Sequence, residues 1–327
     1  MRTIGTISSV MGVAVTLLWS ASPSALADGF PNKTVRIISP YPAGSGPDQM
    51  MRVVGEQLTK IWKQPVVLDS RAGGNGTPAM EALKAAPPDG YTIGVASDAQ
   101  LTTNPFLFRS LSYDPQIDFA PVMLLFSTPF YVAVSSKGPY GSVRDLIADA
   151  QSVPNKVSYG ALFVGSQGHL GAALFASLVN AQMVFVPYRD AQQMLVNITN
   201  GDLSWAFTSI ATAKALTQSG LLKLIAVGRP TRSSYSPDIP TLAQAGGPEL
   251  TVKTWLALLA PRGTPPDVIR QINVDTMNVL AEPAAQERLR VFGFDSEAGP
   301  PEELSKIIVE DGKKNSELIK RIGASLQ

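Results

Sequence analysis

Pro40-Tyr41-Pro42-Ala43-Gly44-Ser45-Gly46-Pro47-Asp48 is the stretch that decides the fold. Val35-Arg36-Ile37-Ile38-Ser39 precedes it, short, apolar and β-branched, and reads as a buried strand. Met50, Met51, Val54, Leu58 and Ile61 follow at helical spacing. Pro47 and Asp48 suit a first helical turn, because proline has no N–H to lose there and a carboxylate suits the positive end. A strand therefore delivers a glycine loop to a helix N-terminus, the arrangement that binds anions. No Lys-Ser or Lys-Thr follows the glycines, and Gly-x-Gly-x-x-Gly is absent, so neither a P-loop nor a dinucleotide site is supported. An anion site without a cationic side chain points to a carboxylate; a plain turn closing a βα unit is the alternative.

Working outward, the same βα alternation recurs. Residues 66–68 read as a strand leading into Arg71-Ala72-Gly73-Gly74-Asn75-Gly76, then a helix from Pro78, and residues 91–96 as a strand ending at Ser97 and Asp98. Two apolar runs within residues 119–135 read as the chain leaving one domain for another. A second series of strands and helices occupies residues 143–227, an apolar run at 254–260 returns the chain, and helices close it. The expectation is an α/β protein of two βα lobes with a ligand crevice at the strand carboxyl ends. Residues 28–128 and 253–327 would form one discontinuous domain and residues 129–252 the other.

Composition removes most other classes. The chain has 327 residues, 45% hydrophobic and 16% charged, with net charge +1, so nothing marks a nucleic-acid partner. There is no cysteine and one histidine, His169, which argues against disulfides, thiolate chemistry, a metal cluster or a conventional Ser-His-Asp hydrolase. No cofactor is expected. Arg2, a short apolar core over residues 10–19 and Ala25-Leu26-Ala27 have the form of a signal peptide over residues 1–27, predicting export and a mature start at Asp28.

The motifs together resemble a family: Gln64-Pro65-Val66-Val67, Asp89-Gly90-Tyr91-Thr92, Asn104-Pro105, Asp118-Phe119-Ala120-Pro121-Val122, Val186-Pro187-Tyr188, Ile239-Pro240-Thr241 and Ala260-Pro261-Arg262-Gly263-Thr264-Pro265. In this order they are similar to the Bug-type periplasmic solute receptors of tripartite tricarboxylate transporters, over essentially the whole mature chain. The resemblance implies a type II periplasmic-binding-protein fold that closes on a small organic carboxylate, whether mono-, di- or tricarboxylic. It further implies a monomeric receptor that delivers this acid to membrane permease subunits and catalyses no reaction. An exported sensor subunit for a membrane kinase would use the same pocket.

By the same resemblance the first ligand loop is Tyr41, Pro42, Ala43, Gly44, Ser45 and Gly46, holding a carboxylate through backbone N–H groups and water. The second is Gly165, Ser166, Gln167 and the residues to His169. Thr208 stands where many relatives carry Asp, which favours a simple carboxylic acid over an amino acid. Each residue also has a plainer reading. Ser166 and Gln167, like Ser97 and Asp98, either meet a ligand or cap the helix that follows. His169 either reaches the crevice or caps its own helix, and Tyr188 either offers its hydroxyl or packs. Arg71 either faces an acid or pairs with Asp69.

Overall fold

In the computed structural model the described residues are 29–233 and 235–324, so the expected signal peptide lies outside them. The strands are β1 Val35–Ser39, β2 Val66–Ser70, β3 Thr92–Ser97, β4 Phe119–Pro129, β5 Tyr131–Ser135, β6 Ser158–Ala161, β7 Val184–Pro187, β8 Trp205–Thr208, β9 Leu222–Val227, β10 Lys253–Pro261 and β11 Asp295–Ser296. The helices are α1 Gly46–Trp62, α2 Thr77–Lys84, α3 Asn104–Leu107, α4 Val143–Ser152, α5 Gln167–Leu178, α6 Ala191–Asn200, α7 Ile210–Gln218, α8 Pro266–Ala281, α9 Pro283–Phe292 and α10 Pro301–Ile322.

Two sheets make the two lobes. The larger has the order β11-β4-β10-β3-β1-β2 and the smaller β7-β6-β8-β5-β9. In the larger, β1 pairs in parallel with β2 and with β3, through Val35 with Val66 and Arg36 with Thr92. In the smaller, β6 pairs in parallel with β7 and β8. These are the strands whose crossovers are helices, as βα alternation requires. The returning strand β10 runs antiparallel to both β3 and β4.

Burial follows the expected periodicity. Met50, Met51, Val54 and Leu58 of α1 are buried, but Ile61 turns outward and Trp62 takes the last core position, its Nε1 donating to Asp275 Oδ2 at 2.5 Å. The larger lobe packs Ile38, Met80, Leu83, Phe119 and Trp255 together; the smaller packs Val132, Val134, Phe175, Trp205 and Phe207. On α5 the buried face is formed by Leu170, Ala172 and Phe175. Leu178 is exposed, while Phe175 and Ala172 are fully buried.

The outward passage between lobes is a single residue. β4 runs to Pro129 and β5 starts at Tyr131. Phe130 between them donates its N–H to Val252 O (2.9 Å) and accepts from the Gly228 N–H (2.8 Å). Pro129 is tolerated so late in β4 because its partner Lys253 opens the facing strand, where few ladder bonds remain to lose.

Candidate functional site

A cleft of about 610 Å³ collects the carboxyl ends of the parallel strands from both lobes. From the larger lobe, Pro40, Tyr41 and Pro42 follow β1, residues 73–76 follow β2, and Ser97 and Asp98 end β3. From the smaller, Ala161, Leu162 and Phe163 follow β6, Arg189 follows β7, and Thr208 and Ser209 end β8. Thr128, Phe130 and Thr254, on or beside the crossing strands, complete the wall. The strand ends gather here because parallel strands in one lobe all point the same way.

Helix N-termini supply the polar groups. Ser166 caps α5, its Oγ accepting from the His169 N–H at 3.4 Å while donating to Phe163 O at 2.8 Å. Gln167 and Gly168 come next, and the first N–H groups of a helix have no acceptor within it. Both residues line the cleft. Ser209 caps α7 by accepting from the Thr212 N–H (3.1 Å), and Asp190 caps α6 by accepting from the Gln193 N–H (2.8 Å). The positive ends of α5, α6 and α7 thus lie along one side of the cleft, a favourable place for an anion.

On the opposite wall the glycine loop is pinned. Asn75 O accepts from Gln100 Nε2 (2.9 Å) and from Asn104 Nδ2 (3.1 Å). Gln100 Oε1 in turn accepts from the Ser97 N–H and Oγ, both at 2.8 Å. A Cβ at Gly76, where φ is +81°, would sit 2.6 Å from the Gln100 amide nitrogen, so only glycine allows this approach.

Among the described residues the charged groups lining the cleft are Asp98 and Arg189. Asp98 Oδ1 accepts from Thr254 Oγ1 at 2.6 Å, and its buried Oδ2 has no partner among the described residues. Burial pushes this carboxyl up to about 7, with Asp311 adding to the effect. Burial also drives the Tyr41 hydroxyl well above the usual tyrosine range, outweighing its hydrogen bond with Ser97. Arg189 is exposed and forms no ion pair among the described residues.

Of the residues expected at the site, Tyr41, Pro42, Ser97, Asp98, Ser166, Gln167 and Thr208 line this cleft. The others are elsewhere. Ala43 and Gly44 are exposed outside it, and the Gly44 N–H donates to Asp48 Oδ2 at 2.8 Å. Ser45 caps α1, and Gly46 packs against Phe294, whose ring a Cβ there would meet at 3.3 Å. Gly165 spends its N–H on His169 Nδ1 (3.1 Å). His169 itself is buried, its ring 4.0 Å from that of Phe185, and burial lowers its pKa to about 4. Tyr188 packs beside the smaller-lobe core and its hydroxyl accepts from Asn197 Nδ2 at 3.0 Å. Arg71 takes its plainer role, pairing with Asp69 at 3.1 Å.

Two further features of the lining carry signals visible in the sequence. Residues 73–76 form a second glycine loop at a strand end, and Arg189 follows the Val-Pro-Tyr motif directly. A second cavity of about 500 Å³ lies between α5 and α10 and shares Asp98 and Gln167 with the cleft.

Residues 50–324 match the tripartite tricarboxylate transporter family receptor, TctC. The chain belongs to this receptor family. BugT of Bordetella pertussis is 28% identical over 320 residues, covering 98% of each chain. The TctC-type architecture is shared with R. palustris Rpa4515, solved with adipate, at a TM-score of 0.80 and 28% identity over 91% of this chain and all of that one. The periplasmic binding protein BugD has the same fold, with a TM-score of 0.76 at 24% identity over 91% of this chain and all of that one. The type II binding-protein fold expected from the motifs is the one observed, in a family of solute receptors.

Proposed function

We propose that this protein captures a small organic carboxylate in the cleft between its lobes and delivers it to the membrane permease subunits of a tripartite tricarboxylate-type transporter. It acts as a periplasmic monomer, exported by residues 1–27, and catalyses no reaction. Residues 28–128 with 253–327 would move as one domain against residues 129–252, Phe130 and the strands beside it acting as the hinge.

The observation that carries this reading is the N-terminus of α5. Gln167 and Gly168 bring N–H groups without intrahelical acceptors to a cleft where Arg189 is the lining cation. A carboxylate there would meet donors and a positive helix end together. The wall opposite, with Tyr41 and residues 73–76, belongs to the other lobe, so an acid touching both would favour closure by the contacts it gains there. The likeness to a receptor solved with adipate supports the same ligand class.

A thermal-shift panel of mono-, di- and tricarboxylates, sugars and amines tests this. An acid at 100 times its dissociation constant adds about 2.7 kcal/mol of stability, an easily read rise in midpoint. A panel in which only sugars or cationic compounds raise the midpoint overturns the proposal.

A further inference from the structure

Resting on the carboxylate reading above, we propose that the cleft selects acids whose carboxylate is attached to an apolar body, aliphatic or aromatic, and that Leu162 and Phe163 make that selection. Both residues line the cleft, and each is 38% exposed. They stand directly before the donors on the same loop. Phe163 O accepts from the Ser166 N–H (3.1 Å) and from Ser166 Oγ (2.8 Å), so the backbone that presents Gln167 and Gly168 also holds Phe163 in place. An acid seated by its carboxylate at the start of α5 would carry its next atoms past these two side chains.

The rest of the lining agrees. Phe130, Met194, Phe207 and Leu256 add apolar groups, and Leu256 comes from the other lobe. Beyond Arg189, the one acidic or basic residue on the wall is Asp98, whose carboxyl is buried, so among the described residues the lining offers no second cation for a second carboxylate. A cleft of about 610 Å³ is in the range that accepts drug-sized ligands and has room for more than a four-carbon acid. Exposed apolar side chains in a concave site are unfavourable until something apolar covers them, and covering them is the affinity that such an acid gains.

Calorimetry on the whole protein tests the assignment with butanoate, hexanoate, octanoate and 3-phenylpropanoate against succinate, malate and citrate. Affinity should rise about three- to fourfold per methylene until the cleft is filled. The best apolar acid should bind at least about tenfold tighter than malate or citrate, the worth of two buried methylenes. L162S and F163S should each flatten the chain-length series, weakening the longest acids most and butanoate little. Because each side chain is only partly buried in the free protein, the unfolding midpoint should fall modestly, and the chain-length dependence measured on folded protein separates lost packing from lost ligand contact. Malate or citrate binding tightest, or a chain-length series unchanged in both variants, overturns the proposal while leaving a carboxylate receptor. If no acid binds at all, the carboxylate reading fails and this one with it.

Discussion

The Gly44 N–H donates to Oδ2 of Asp48 at 2.8 Å, so the glycine loop that looks made for a guest anion is filled by the chain's own carboxylate. The same device recurs in the other lobe, where the Gly165 N–H donates to Nδ1 of His169, again four residues on. In both loops the glycine turn closes on the helix it precedes, and the cleft is served by neighbouring residues instead.

Gly44→Val should therefore lower stability and leave binding nearly intact. Its φ is +83°, and nothing lies within 4 Å of the added Cβ, so the cost is backbone strain of about 1–2 kcal/mol. Unfolding midpoint and calorimetric affinity for hexanoate, measured on one preparation, separate the effects. An affinity loss of tenfold or more would place the loop in the site.

Asp48 should matter to the fold in the same way. Its carboxylate is fully buried; burial alone would raise its pKa, but Arg52, the Gly44 N–H and Ser70 Oγ outweigh that and hold it below the usual range. With the folded value depressed, this stabilisation is present above pH 3.8 and is lost as pH falls through the folded value. Asp48→Asn should cost about 2 kcal/mol at neutral pH by weakening charge-assisted bonds, with affinity unchanged. Urea unfolding at pH 7 reads the loss.

His169 is the only histidine, so its imidazole gives a single titration by NMR. The folded value of about 4 lies below the ordinary 6.5, so the unfolded chain binds the proton first as pH falls. Stability should drop between pH 6.5 and 4, by about 1 kcal/mol per unit. His169→Gln should remove that part of the pH dependence. An imidazole titrating near 6.5 in the folded protein would contradict its burial against Phe185.

Asp98 opposes this. Its folded value of about 7 lies above the ordinary 3.8, so its contribution is favourable at low pH and is lost as pH rises through 7. Asp98→Asn should raise the unfolding midpoint at pH 8 relative to the parent more than at pH 5. A larger gain at pH 5 would contradict the raised value.

Arg189 should act through charge alone. Exposed and without an ion pair among the described residues, it contributes little to folding, and Arg189→Gln should leave the midpoint unchanged. Affinity for hexanoate should fall about three- to tenfold at low salt, and the difference should shrink at 0.5 M salt. Salt-dependent calorimetry of both proteins checks it.

Much of this architecture is legible in local pattern. Val35–Ser39 and Met50 to Leu58 announce a strand and a helix by period alone, and Ser166 and Ser209 announce caps by residue type. What local pattern does not carry is where a side chain turns. Asp48 and His169 fold back on their own loops, and His169 is drawn inward by Phe185, which is distant in sequence. Nor does it say which of two glycine loops at strand ends faces the other lobe. That depends on packing, and here Gln100 and Asn104 pin residues 73–76 against the cleft.

The most direct measurement is an amide NMR map of the protein saturated with adipate and, separately, hexanoate. The largest shifts should fall at the Gln167 and Gly168 amides, with further shifts at residues 74–76, while Gly44 and Gly165, already bonded to Asp48 and His169, move little. Largest shifts at Gly44 or Gly165, or no shift at Gln167 and Gly168 at saturation, would contradict this.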